Sequence, residues 1–324
     1  MDKGAGPSIR VRTPQTHTRT VIQLDPIILQ RKKQHFRVLR KLFHDLKCKP
    51  ESIYFPVDEL QGFGIQVSPL DLHSGPTATK PGERQFFHPI PASEFRKFPQ
   101  PPYEAPSLEL ETSAKWRKKN RIANSRSLNV DIHNHIAREL PEEVRTNEHY
   151  ALRCFTKWKR IFAPGDQNLF GYGGGSHPEE LLDWFVGEAY SAMSKEYPHL
   201  IISGLVGIEP DASVKGKIAR SELLMLVDCM MHVMEIPYLF FHAIYPILVM
   251  SIFDGKIRFV QGYFDGEALC IQYSQFLDFT TPNEATFELT LRWVLANPIG
   301  DTETPIRDAD VKPTNKLLQT AREA

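Results

Sequence analysis

The stretch that most constrains the fold is residues 245–276, "YPILVMSIFDGKIRFVQGYFDGEALCIQYSQF". It holds three β-type runs separated by two Asp-Gly pairs, Asp254-Gly255 and Asp265-Gly266. Asp-Gly between such runs favours type I′ hairpins, whose two central residues both take positive φ. The spacing therefore predicts a three-stranded antiparallel meander. The first run is apolar throughout, which places it centrally in the sheet. In the second, Ile257, Phe259 and Tyr263 fall on one face and Arg258, Val260 and Phe264 on the other.

The flanking segments predict helices and one more strand. "HLIISGLVGI" reads as a buried strand and residues 219–235 as a mostly buried helix. Ser221, Asp228, His232 and Glu235 form a thin polar stripe along that helix. A last helix starts near Asn283, with Phe287, Leu291, Val294 and Leu295 on one face. In "GGGSHPEELLDWFVGEAYSAMSKEY", Ser176 as N-cap, an early Pro178, and Glu179 and Glu180 at the helix start predict a further helix. Upstream, residues 26–47 read as a basic amphipathic helix with Ile28, Phe36, Leu39, Leu42, Phe43 and Leu46 in its apolar stripe. The expected class is α+β: the meander plus an additional strand packed with helices, preceded by helices and a Pro-rich extended region.

The chain divides by composition into a disordered arm (1–20), the basic helix and Pro-rich region (21–110), a helical segment (111–165), an α+β core (166–302) and a mobile tail (303–324). Fourteen of the 25 prolines lie in the first 106 residues, so the short apolar pieces "IYFPV" and "FGIQV" are assigned no regular structure. Lys plus Arg equals Asp plus Glu at 39 each, which leaves no whole-molecule field to attract nucleic acid or an anionic membrane. The four cysteines are scattered, as for free thiols in a reducing compartment. The first residues lack an apolar signal core. The expected location is therefore cytoplasmic or nuclear, not secreted. Residues 236–253 carry no formal charge over 18 residues, but Pro237, His242 and Pro246 interrupt them. A helix end, a loop and a core strand fit them better than a membrane span.

Several motifs suggest chemistry. "VDIHNHI" would align Asp131, His133 and His135 on a strand, as in metal-dependent amidohydrolases. The barrel of those enzymes takes about 250 residues, more than follow His135, and the local context is helical. The His-x-His is therefore read as coincidental, with no metal or cofactor expected. "KWRKKNRIANSRSLN" resembles the basic region of bZIP factors, yet no leucine heptads follow. Arg117, Lys118 and Lys119 leave at most a non-specific contact with nucleic acid. In "GYGGGSHPEE" the glycines lead into glutamates that would repel phosphate. Glu209, Asp211 and Lys217 offer the residue types of a PD-(D/E)XK nuclease, without its closely spaced E-x-K. Asp228 and His232, one helical turn apart, are candidates for an acid–base pair.

Residues 200–302 resemble an uncharacterised family of filamentous fungal proteins. A similar meander there precedes an Arg-Trp-aliphatic helix, here Arg292-Trp293-Val294, and a Pro-x-Gly-x-Thr ending, here Pro298 to Thr302. The resemblance implies no transferable activity. It implies lineage-restricted accessory proteins, some encoded among genes of secondary metabolism. The expected function is interaction with a partner protein or binding of a small apolar ligand, without evident catalysis. A degenerate nuclease and an accessory protein of a biosynthetic pathway are the alternatives.

Overall fold

The computed structural model describes residues 8–11, 20–23, 26–49, 51–73, 84–98, 114–145, 150–162, 184–208 and 216–305. In chain order it contains β1 (Ser8–Val11), β2 (Thr20–Gln23), α1 (Pro26–Lys47), β3 (Tyr54–Pro56), α2 (Val57–Leu60), β4 (Ile65–Pro69), β5 (Phe87–His88), α3 (Ala92–Phe95) and α4 (Ala114–Ala137). There follow β6 (Trp158–Phe162), β7 (Trp184–Ala192), β8 (Leu200–Val206), β9 (Lys217–Ala219), α5 (Arg220–Met234), β10 (Ile247–Phe253), β11 (Lys256–Phe264), β12 (Leu269–Tyr273), β13 (Leu277–Asp278), α6 (Glu284–Val294) and β14 (Asn297–Pro298). The fold is α+β.

The meander forms as expected: β10 pairs antiparallel with β11, and β11 with β12. It is part of an eight-stranded mixed sheet in the order β4-β12-β11-β10-β8-β7-β6, with β13 added on β11. β10 is central and buried along its whole length. Its other neighbour, β8, runs parallel to it, which requires a crossover, and α5 supplies it. The two faces of β11 divide as the alternation predicts. Val260 and Phe264 join the apolar cluster under α1 and α5, while Ile257, Phe259 and Tyr263 join the one under α4 and α6. The sheet is thus the middle of three layers.

The two Asp-Gly turns differ. Asp254 (φ 41°) and Gly255 (φ 86°) both have positive φ, as a type I′ tip demands. α4 clasps this tip: Asn124 Nδ2 donates to Asp254 Oδ1 (2.6 Å), and Ser125 Oγ accepts from the Asp254 amide (3.0 Å). Asp265-Gly266 is no two-residue tip. It opens a four-residue connection in which only Gly266 has positive φ. Asp265 Oδ1 accepts from the amides of Glu267 (2.8 Å) and Ala268 (2.7 Å), an Asx-type turn that competes successfully with type I′. Gly255→Val should cost about 1–3 kcal/mol, since a β-branched residue adopts that φ only under strain. Urea denaturation checks this, and a midpoint equal to the parent's would remove the type I′ argument.

The helix expected after Ser176 is corrected over residues 184–192, which form β7 between β6 and β8. The start signals at Ser176, Pro178, Glu179 and Glu180 lie outside the described residues. "WFVGEAYSA" is aromatic and apolar enough for either state, and two flanking strands decide it. The pieces left without regular structure also find partners: "IYFPV" contains β3, paired with β9, and "FGIQV" contains β4, parallel to β12. In the arm expected to be disordered, Ser8–Val11 pairs with Thr20–Gln23. Of the tail, residues 306–324 lie outside the described residues.

α1 and α5 pack together on one face, with Val38, Leu39, Leu42 and Leu46 of α1 buried. Asn283 caps α6, accepting from the Thr286 amide at 3.0 Å. The side chain of Arg258 points into the α5 layer, where Glu222 meets it. Nε donates to Oε1 at 2.6 Å and Nη2 donates to Oε2. The pair is sealed from water, at 2% and 0% side-chain exposure. Arg258 also donates to the Lys217 carbonyl (3.1 Å) and stacks 4.8 Å from the Phe276 ring centre.

Candidate functional site

Among the described residues, those singled out in the sequence form no cluster of three or more His, Cys, Asp or Glu able to hold a metal ion. Glu209 and Asp211 lie outside the described residues. Lys217 begins β9, and its carbonyl serves Arg258. Asp228 and His232 share a helix face but answer to different charges. Burial pushes the Asp228 carboxyl up to about 6 against the pull of Lys47. Burial lowers His232 against the pull of Glu235. Arg117, Lys118 and Lys119 belong to the first turns of α4.

His133 and His135 sit on α4, not on a strand, so two residues' separation turns them about 200° apart. His135 meets the Phe287 ring edge-on at 4.9 Å. His133 faces the sheet and closes a buried polar chain. Its Nε2 lies 3.1 Å from Ser203 Oγ on β8 and its Nδ1 lies 2.8 Å from the Tyr190 hydroxyl on β7. Burial, aided by the Arg160 charge, lowers His133 to about 3, so the ring is neutral and one nitrogen donates while the other accepts. Beside it Arg160 grips Glu188 through Nε to Oε2 (2.5 Å) and Nη2 to Oε1. Burial raises the Glu188 carboxyl, with Arg160 opposing.

A β-bulge shapes this corner, with the β7–β8 register shifting between Val186 and Glu188. Gly187 is the extra residue. A Cβ there would come within 2.9 Å of Asn129 Nδ2, so glycine lets α4 approach the bulge. Ser, His and Tyr in a hydrogen-bonded row invite comparison with nucleophilic catalysis. Ser203 is only 2% exposed, however, and a nucleophile must reach its substrate. The row ties α4 to the sheet.

A surface concavity of about 190 Å³ lies at the C-terminal end of β7, beside the end of α5. Ile161 on β6, Ala192 on β7, Leu200 on β8, and Val233, Ile236 and Leu239 at and beyond the end of α5 give it an apolar floor. Met193 and Tyr238, both exposed, form its lip. Lys159 and Lys195 bring positive charge to it, Lys195 Nζ standing 5.5 Å from the Tyr238 ring centre. His199 lies in its wall, its Nε2 held 2.9 Å from the Ile299 carbonyl, and burial lowers it to about 3, so it is a neutral wall. Apart from His232, no residue of this groove was a sequence-derived candidate. Its parts come from five separate segments, and no local motif marks them. Compared with known proteins, the chain matches no family model, no curated protein and no solved structure.

Proposed function

We propose that the protein is an intracellular ligand-binding protein whose groove at the β6–β7–β8 edge holds a small molecule with an apolar body and an anionic end. The observation that carries this reading is the groove itself, an apolar floor with Lys159 and Lys195 beside it. Its volume of about 190 Å³ lies below the ~300 Å³ at which drug-sized pockets begin, so the ligand is a compact one. Apolar contact supplies the binding energy and the lysines orient the acid group. The fungal family resemblance adds a context, an accessory role in a secondary-metabolite pathway with an apolar product or precursor as ligand. The nuclease alternative needs Glu209, Asp211 and Lys217 to converge, and Glu209 and Asp211 lie outside the described residues.

Octanoate and its neutral analogue octanol test this reading by calorimetry. Both are expected to bind, and Ser191→Trp, which fills the groove from β7, should abolish binding of both. The Lys159→Met/Lys195→Met variant should weaken octanoate about two- to fivefold, the range of exposed ion pairs, and leave octanol unchanged. Equal binding by Ser191→Trp would remove the groove from consideration.

A further inference from the structure

A second, smaller cavity, of about 50 Å³, lies between the N-terminal half of α1 and the chain leading into β10. Arg31, Lys32 and His35 line it from α1, His242 and Tyr245 from the opposite wall, and Glu303 from the C-terminal side. We propose that this cavity binds a small oxyanion, the carboxylate or phosphate-type group of a ligand, between Arg31 and Lys32. The proposal does not rest on the groove reading.

The first support is Arg31. Its Nε is buried and has no acceptor among the described residues. Buried donors are rarely left without a partner, and an oxyanion in the cavity would supply one. The second is Lys32, whose Nζ lies 3.3 Å above the Phe240 ring centre and 3.4 Å from the Tyr245 hydroxyl. That hydroxyl spends its proton on the carbonyls of Leu239 (3.1 Å) and His242 (2.9 Å), so it accepts from Lys32. An ammonium has three donors, and these contacts use two. The third is the balance of charge at the walls. Arg31, Lys32, His35 and His242 face one carboxylate, Glu303, which is exposed and therefore screened. Glu235 acts on Lys32 and Asp301 on His242 from outside the cavity. His242 itself is fully engaged, with Nδ1 2.8 Å from Thr302 Oγ1 and Nε2 3.1 Å from the Lys195 carbonyl. It shapes the wall and does not compete for the anion.

The cavity makes binding pH-dependent. Burial lowers Lys32 to about 7, and burial with the Arg31 charge lowers His35 to about 4. An oxyanion favours the charged forms of both, so affinity rises as pH falls through 7 and Lys32 gains its proton. Sulfate and acetate are suitable probes, since each keeps its charge between pH 6 and pH 8. Titration calorimetry of the full chain at low ionic strength should show binding that is severalfold tighter at pH 6 than at pH 8. Arg31→Leu and Lys32→Met should each weaken it about tenfold, the loss of one charge-assisted bond. Glu303→Gln, a change at an exposed position that leaves the fold intact, should tighten it. Preference for sulfate points to phosphate-type ligands, and preference for acetate to carboxylates. The proposal is overturned if neither anion binds at pH 6, if Arg31→Leu binds as well as the parent, or if Glu303→Gln binds no more tightly than the parent.

Discussion

Replacing Glu222 with alanine is expected to destabilise the protein by about 3–5 kcal/mol, because it strands the Arg258 guanidinium in a site closed to water. Arg258 is 1% exposed and Glu222 0%. Their attraction offsets a desolvation cost that neither ion can carry alone. Glu222 also accepts from the Ala219 amide at 2.9 Å, so the start of α5 loses a bond in the same variant. Arg258→Met should cost a similar amount by leaving the carboxylate unpaired. The double variant Glu222→Ala/Arg258→Met should be clearly less damaged than the sum of the two single changes, since no buried charge remains. Urea denaturation of the four proteins measures the coupling. Additive losses would mean that the two charges do not depend on one another, and that the crossover is held by apolar packing alone.

Leu248→Ala is expected to cost about 2–5 kcal/mol, the range for truncating a packed core leucine. Leu248 is fully buried on the central strand, on the face covered by α4 and α6. It pairs with Gln261 on β11 and Ile201 on β8, both fixed by strand ladders, so the lining of the resulting cavity has little freedom to collapse. Thermal and urea melts test this. A loss under about 1 kcal/mol would mean the site relaxes around the cavity, contrary to a close-packed three-layer core.

Much of the fold was legible because its signals are local. Asp254-Gly255 requires a turn that few other dipeptides tolerate. The run Ile247–Phe253, apolar but for Ser251 and followed at once by a turn, fits a strand buried between two others. Asn283 before an apolar-periodic stretch marks a helix start within a single turn. The candidate sites were far less legible. The sequence drew attention to His133 for its neighbour His135, yet its partners are Ser203 and Tyr190, 70 and 57 residues away. Lys32 and Tyr245 are separated by 213 residues, and nothing near either one announces the other.

The sequence by itself determined the meander, the division of its residues between two faces, the length of α1, and the buried character of α5. Each depends on a periodicity or a turn preference contained within about one element. Only the tertiary structure decided that residues 184–192 are a strand, that β4 extends the sheet beyond β12, and that β8 runs parallel to β10. It also decided which buried polar residues of α4 are used. Asn124, Ser125 and His133 look like surface positions in a helix with little amphipathic character, but they meet a hairpin tip and two strands. The physical reason is common to all of these. A strand's backbone and a buried polar side chain need partners that their own segment lacks, and those partners come from wherever the folded chain brings them.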